Sequence, residues 1–129
     1  ILYDFGKSLG IAFQLKDDYL DLYGDPSKTG KQLGGDIRTN KKTYLSTRAF
    51  DVATEEERRE LHAWLKFPPD ARLELTTRFF EQKNIRQLAL DEMQRYSDHA
   101  FALLEKAPVL SKRKQPLQEL AQLLLKRES

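Results

Sequence analysis

Gly10-Ile11-Ala12-Phe13-Gln14-Leu15-Lys16-Asp17-Asp18-Tyr19-Leu20-Asp21 is the stretch on which the reading of this chain turns. Its apolar residues do not alternate as a strand requires, and at about 100° per residue on a helix Gln14, Asp17, Asp18 and Asp21 fall within one arc. Three carboxylates therefore share one face. Like charges so placed cost an isolated helix roughly 0.2–0.5 kcal/mol per pair, a cost that a bound divalent cation reverses. With no His or Cys nearby, an all-oxygen donor set favours Mg²⁺ or Ca²⁺ over zinc. Because Mg²⁺ takes a few carboxylates plus water and substrate phosphate, an open acid face suits a phosphorylated ligand. Three acids on a helix are equally the ordinary composition of a solvated face, so the neighbouring residues decide between the two.

Downstream, Lys31, Asp36, Lys41 and Lys42 are threaded through Gly30, Gly34 and Gly35, where backbone can approach a ligand closely. A diphosphate needs such a setting, with metal ions neutralising some of its oxygens and ammonium groups the rest. Two look-alikes fail. Gly30-Lys31 lacks the hydroxyl residue of a P-loop, since Gln32 stands there, and a helix rather than a strand precedes it. The run from Asp17 does not supply the alternating acids and closing Glu of an EF-hand.

Outward from this block the chain is helix-forming almost throughout, poor in Gly and Pro and rich in Glu, Lys, Arg and Gln. Residues 1–23 form the first expected helix, stopped by Gly24-Asp25-Pro26, and residues 27–40 read as an ordered loop. A second helix is expected from about Lys41 to Val52. Thr54-Glu55-Glu56-Glu57 is a capping box opening a third, with Leu61, Trp64 and Leu65 on its apolar face, and Pro68-Pro69 ends it. Asp70 is the expected cap of a fourth, holding Leu73, Leu75, Phe79 and Phe80. Asn84 restarts a helix through Ile85, Leu88, Ala89, Met93, Tyr96, Ala100, Leu103 and Leu104, which Pro108 stops. The last helix, from Ser111 or Gln115, puts Leu117, Leu120, Ala121, Leu124 and Leu125 on one stripe and ends in Lys126-Arg127, whose charges favour the helix dipole.

Composition bounds the rest. A chain of 129 residues is the size of one domain, and Ile1 to Phe13 read as the middle of a helix without an N-terminal cap, so a fragment is expected. The absence of cysteine excludes disulfides and thiolate metal sites. No apolar run reaches the roughly 20 residues that span a bilayer, and no signal-peptide pattern is present, so a cytoplasmic location is expected. A net charge of +2, from 22 basic and 20 acidic residues, does not argue for nucleic acid. His62 and His99 are read as surface or partly buried residues, and Trp64, Phe79, Phe80, Tyr96 and Phe101 as packing residues.

The ordered set from Gly10 to Asp21, then Gly24-Asp25, Gly30-Lys31, Gly34, Asp36 and Asn40-Lys41-Lys42-Thr43-Tyr44, resembles the second aspartate-rich motif and following loop of the polyprenyl synthetases, the farnesyl and geranyl diphosphate synthase family. The motif block covers about a third of the chain. The resemblance implies an all-α helical bundle, with residues 1–129 as the C-terminal part of the isoprenoid synthase fold. It implies a Mg²⁺-dependent trans-prenyltransferase that condenses an allylic diphosphate with isopentenyl diphosphate. On it, Asp17 and Asp18 are metal ligands and, with Lys31 and Lys41, catalytic. Asp21 belongs to the metal set, and Asp36 supports metal water or lysine position. Lys31 and Lys41 contact the allylic diphosphate, Gln14 hydrogen-bonds near it, and Phe13 lines the hydrocarbon side.

Asn40 departs from the family where many members carry Gly, and Leu45 where many carry Pro; both should alter the start of a helix rather than chemistry. The first aspartate motif, its arginines and the isopentenyl diphosphate residues are absent, so the chain alone is expected to be inactive. The family forms homodimers, and a bundle missing half its helices should self-associate. Readings from other classes are a terpene synthase or head-to-head condensing enzyme, a helical interaction module, and a non-catalytic regulatory subunit.

Overall fold

The computed structural model describes residues 2–29, 32–107 and 111–126, and among these the secondary structure is helical throughout. In chain order the helices are α1 Leu2–Tyr23, α2 Pro26–Thr29, α3 Gly35–Arg38, α4 Tyr44–Val52, α5 Glu55–Trp64, α6 Pro69–Gln82, α7 Ile85–Lys106 and α8 Ser111–Lys126. The all-α expectation holds, and no helix among the described residues is long and apolar enough to cross a membrane.

The frame is the pairing of α1 with α7. Near one end Phe5 of α1 packs with Ala100 and Leu104 of α7 and Ala121 of α8. At the other, Leu22 of α1 joins Ile85 and Ala89 of α7, so the two long helices run antiparallel. Ala12, Ala89 and Ala100 are buried to 1% exposure or less, and side chains this small let helix backbones approach closely. Around the second end, Leu45 and Ala49 of α4, Leu61 of α5, and Phe79 and Phe80 of α6 complete the larger core. Phe80, Ile85 and Leu104 are the largest fully enclosed side chains.

Local signals set most boundaries. Thr54 caps α5 as expected, accepting from Glu57 N at 3.2 Å while Glu57 Oε1 accepts from Thr54 N at 2.9 Å. A second capping box, Thr43 with Ser46, starts α4 at Tyr44 rather than near Lys41, because the Thr43 side chain claims the Ser46 amide. The expected loop over 27–40 contains two single-turn helices, α2 and α3. Asp70 is not the cap of α6: Pro68 holds that position and Pro69 begins the helix, where its missing N–H costs nothing.

Asn84 takes the left-handed conformation at φ 58 and makes no side-chain cap bond, so it terminates α6 more than it starts α7. Asn40 does the same after α3, also at φ 58. Asparagine tolerates this conformation, so it can stand where the family resemblance leads one to expect glycine. On α8, Ala121 is buried but Leu120 is 51% exposed, so the expected five-residue stripe is only partly covered.

Candidate diphosphate and metal site

Helix α1 continues unbroken through the acid run, and its face is tied to the segment that follows it. Asp18, 7% exposed, accepts from Gln14 Nε2 at 3.1 Å through Oδ1 and from the Tyr44 backbone amide at 3.0 Å through Oδ2. That amide is the first of α4, one of the donors a helix N-terminus leaves without an internal partner. Asp21 treats α3 likewise: its Oδ2 accepts from Asp36 N at 2.9 Å, and its backbone carbonyl accepts from Gly34 N at 2.7 Å. Two of the three carboxylates thus anchor the starts of α3 and α4 over the acid face.

Gly34 makes the tight approach possible. It sits at φ 84, and a Cβ built there would lie 2.5 Å from Leu73 Cδ1 of α6. From α3 the chain of contacts continues to the lysines. Asp36 Oδ1 lies 3.9 Å from Lys41 Nζ, an outward-facing pair, and the Asp36 carbonyl accepts from Lys41 N at 2.8 Å. The structure therefore brings Gln14, Asp18, Asp21, Asp36 and Lys41 into one connected cluster; Asp17 and Phe13 are half-buried on the same helix as Gln14, Asp18 and Asp21. Lys31 lies outside the described residues.

Chemically, the donors are carboxylate oxygens, which suit a hard cation. Among the described residues no group of three or more acid, His or Cys side chains converges closely enough to hold a metal unaided. An ionised carboxylate can accept about four hydrogen bonds or metal contacts, so the two bonds at Asp18 leave capacity for a cation. A partial carboxylate set fits Mg²⁺, which keeps water and phosphate oxygens in its remaining positions.

Two neighbours have shifted titrations. Burial pushes Tyr23 up to about 12 against the opposing charge of Arg86, whose guanidinium carbon lies 5.1 Å from the Tyr23 ring centroid. Burial also raises Tyr44. Both phenols are neutral over the physiological range, so neither adds charge to the site.

A cavity of about 410 Å³ lies beside Lys41, but no α1 aspartate lines it. Its walls come from α4, α5 and α6, including Phe50, Leu61, Trp64 and Phe80, with Lys41 and Lys42 among its polar residues. It is a space behind the lysine segment, separate from the acid face. His62 stacks on Phe50 there, with ring centroids 5.0 Å apart, and so takes a packing role at the surface.

Two residues with a bearing on this site were not singled out from the sequence. Lys16, next to Asp17, donates through Nζ to the Leu125 carbonyl and so ties the end of α8 to the acid-bearing helix. Arg72 binds the carbonyls that close α3. Their partners are 109 and at most 35 residues away, so no local pattern marks either one.

Comparison with known proteins follows the same lines. The family profile described as polyprenyl synthetase matches residues 1–81. A geranylgeranyl diphosphate synthase of Saccharolobus solfataricus is 37% identical over 129 residues, covering 98% of this chain and 39% of that protein. The human farnesyl pyrophosphate synthase is 51% identical over 49 residues, covering 38% of this chain and 12% of that protein. A solved geranylgeranyl pyrophosphate synthetase from Pyrococcus horikoshii superposes with a TM-score of 0.83 at 29% identity, covering 97% of this chain and 38% of that one. The chain spans 39% of the length of the first two curated relatives it matches.

Proposed function

The chain belongs to the polyprenyl synthetase family, and from that premise we propose that it carries the allylic diphosphate side of a chain-elongating prenyltransferase. The reaction joins an allylic diphosphate to isopentenyl diphosphate. The allylic C–O bond breaks with its electron pair leaving on diphosphate, the isopentenyl double bond attacks the allylic carbon, and loss of a proton gives a chain five carbons longer.

The observation that supports this reading best is the convergence of one carboxylate face with a lysine-bearing segment, through Asp18 to Tyr44 and through Asp21 and Asp36 to Lys41. On this reading Asp17, Asp18 and Asp21 would hold Mg²⁺, which supplies positive charge to the departing diphosphate. Lys41, with its side chain 54% exposed, offers a mobile ammonium to the same diphosphate, and Lys31 would add a second. Asp36 restrains Lys41 by its charge. Gln14 donates to Asp18 and so keeps that carboxylate oriented. Stabilising charge as it develops on a leaving group is usually the largest catalytic contribution, and preplaced cations supply it without reorganisation. Phe13 would face the hydrocarbon. A homodimeric, cytoplasmic enzyme completes the proposal.

One observation favours a second reading. Both Asp18 oxygens are engaged in bonds within the chain, as they would be in a non-catalytic subunit that kept its aspartates only as helix anchors. The two readings part on binding. Protein expressed from the whole gene should bind inorganic pyrophosphate only with Mg²⁺ and should elongate dimethylallyl, geranyl or farnesyl diphosphate. Pyrophosphate binding that ignores Mg²⁺, with no elongation of any of the three, would leave the anchor reading standing.

A further inference from the structure

Arg72 sits in the first turn of α6 and is 6% exposed. Among the described residues no carboxylate pairs with it. Its guanidinium instead donates to four backbone carbonyls: Nε to Ile37 at 3.0 Å, Nη1 to Leu65 at 3.2 Å and to Phe67 at 2.9 Å, and Nη2 to Arg38. Ile37 and Arg38 close α3, while Leu65 and Phe67 belong to the turn that closes α5. Carbonyls at helix C-termini have no partner inside the helix and carry the negative end of the dipole. One cation lodged between two such ends satisfies both. This is a task for the flat, multi-donor fork of arginine, because a lysine presents all its donors from a single atom.

The position of these carbonyls matters to the site. Helix α3 is held on its other side by the Asp21 carboxylate through Asp36 N, and Lys41 follows directly after it. The remaining α6 contacts to α3 are weaker in kind. Leu73 packs apolar atoms against Gly34, and Asp70, whose side chain is 92% exposed, pairs with Arg38 in solvent where such pairs contribute little. Between the close of α3 and the close of α5, Asn40 Nδ2 donates one long bond to the Leu65 carbonyl at 3.4 Å, and the buried Arg72 guanidinium supplies the other four.

We infer that Arg72 is a positioning residue for diphosphate binding: it clamps α3 from behind so that Asp36 and Lys41 are held against the α1 carboxylates. The inference rests on the enzyme reading above and adds a residue about which the motif says nothing.

The test uses protein expressed from the whole gene and compares wild type with Arg72→Lys, Arg72→Ala and, as a control, Leu61→Ala, which loosens buried α5 packing and removes no hydrogen bond to α3. Inorganic pyrophosphate affinity at saturating Mg²⁺ is measured by calorimetry, and KM and kcat for the allylic diphosphate by turnover. Both Arg72 variants should raise pyrophosphate Kd and allylic KM by about tenfold or more, the equivalent of one charged hydrogen bond to phosphate, with a much smaller change in kcat. Added guanidinium should partly restore the affinity of Arg72→Ala. Leu61→Ala should lower Tm and leave both constants near wild type. Arg72 variants that only lower Tm, with Kd and KM unchanged, overturn the inference.

A measurement on wild type covers the case in which the variants do not fold. Mg²⁺ with pyrophosphate should slow amide exchange in residues 37–41 and 65–67 together, and protection confined to 36–41 overturns the clamp. A wild-type protein that binds no Mg²⁺-pyrophosphate overturns the enzyme reading and this inference with it. Wild-type binding that Arg72→Lys leaves intact overturns the inference alone.

Discussion

Asp18 is asked to do two things, and a pair of substitutions separates them. Its Oδ2 accepts the first amide of α4 at a position 7% exposed, while on the proposed function its charge would serve a metal. Asp18→Asn keeps an oxygen for the Tyr44 amide, and Gln14 can turn its own amide to suit the new NH₂ group. What is lost is the difference between a charged and a neutral hydrogen bond, about 1 kcal/mol. Asp18→Ala strips the acceptor altogether and leaves a helix N-terminal amide unpaired in a poorly hydrated place, for roughly 2–3 kcal/mol in total. For a chain of this size about 4 °C of Tm accompanies each kcal/mol, so losses near 4 °C and 10 °C are expected. Both variants should lose Mg²⁺-dependent pyrophosphate binding to the same degree, at least about tenfold, because an amide is a far poorer ligand for a hard cation. Thermal melts with and without Mg²⁺-pyrophosphate read both quantities in one experiment. Equal Tm values for the two variants would refute the anchoring role, and wild-type ligand stabilisation in Asp18→Asn would refute the metal role.

Three further outcomes follow from single contacts. Gly34→Ala must place a side chain at φ 84 and against Leu73 Cδ1, so urea melts should show a loss of about 2–4 kcal/mol, with Leu73 swinging aside to limit the cost. Asn40 holds φ 58, so Asn40→Gly should be nearly neutral while Asn40→Ala costs about 1 kcal/mol, measured the same way. Glu57 is held below the ordinary glutamate range first by the Thr54 amide and then by Lys83. A depressed folded pKa stabilises above the unfolded value, near 4.3, and that contribution disappears as pH falls through the folded one. The stability difference between wild type and Glu57→Gln, followed by melts from pH 7 to pH 3, should therefore shrink toward the acid end; a difference that grows on acidification would contradict the capping-box assignment.

Much of the fold could be read from sequence because its signals are local. Thr54 and Glu57 lie three residues apart, and the apolar positions of α1 and α7 repeat at the helical period, so neither needs a distant partner to be recognised. The failures share one cause. Asp70 has the chemistry of a cap, but the two prolines before it had already fixed where α6 begins. Lys41 looked like a helix start until the Thr43 and Ser46 pair, two residues later, took the amides. Leu120 fits the apolar stripe of α8, yet no described helix covers it. In each case the residue type was right and the competition was decided elsewhere.

The candidate site sharpens that point. Spacing alone puts Gln14, Asp17, Asp18 and Asp21 on one arc, since 100° per residue is a property of any helix. It says nothing about what the arc faces. In the fold, the carboxylates proposed to attract a cation also hold amides in the first turns of α3 and α4, and Arg72 holds the last carbonyls of α3. Acid at one end and guanidinium at the other match the polarity of α3, positive at its N-terminus and negative at its C-terminus. On the proposed reading a metal would draw on the same Asp21 carboxylate whose Oδ2 accepts the Asp36 amide, so metal loading and the seating of α3 would meet at one side chain. On that reading the loop would respond to whether the acid face is charged or neutralised, through the three-dimensional opposition of Asp21 and Arg72, which lie 51 residues apart; spacing singles out Asp21, and no local pattern marks Arg72 as its counterpart.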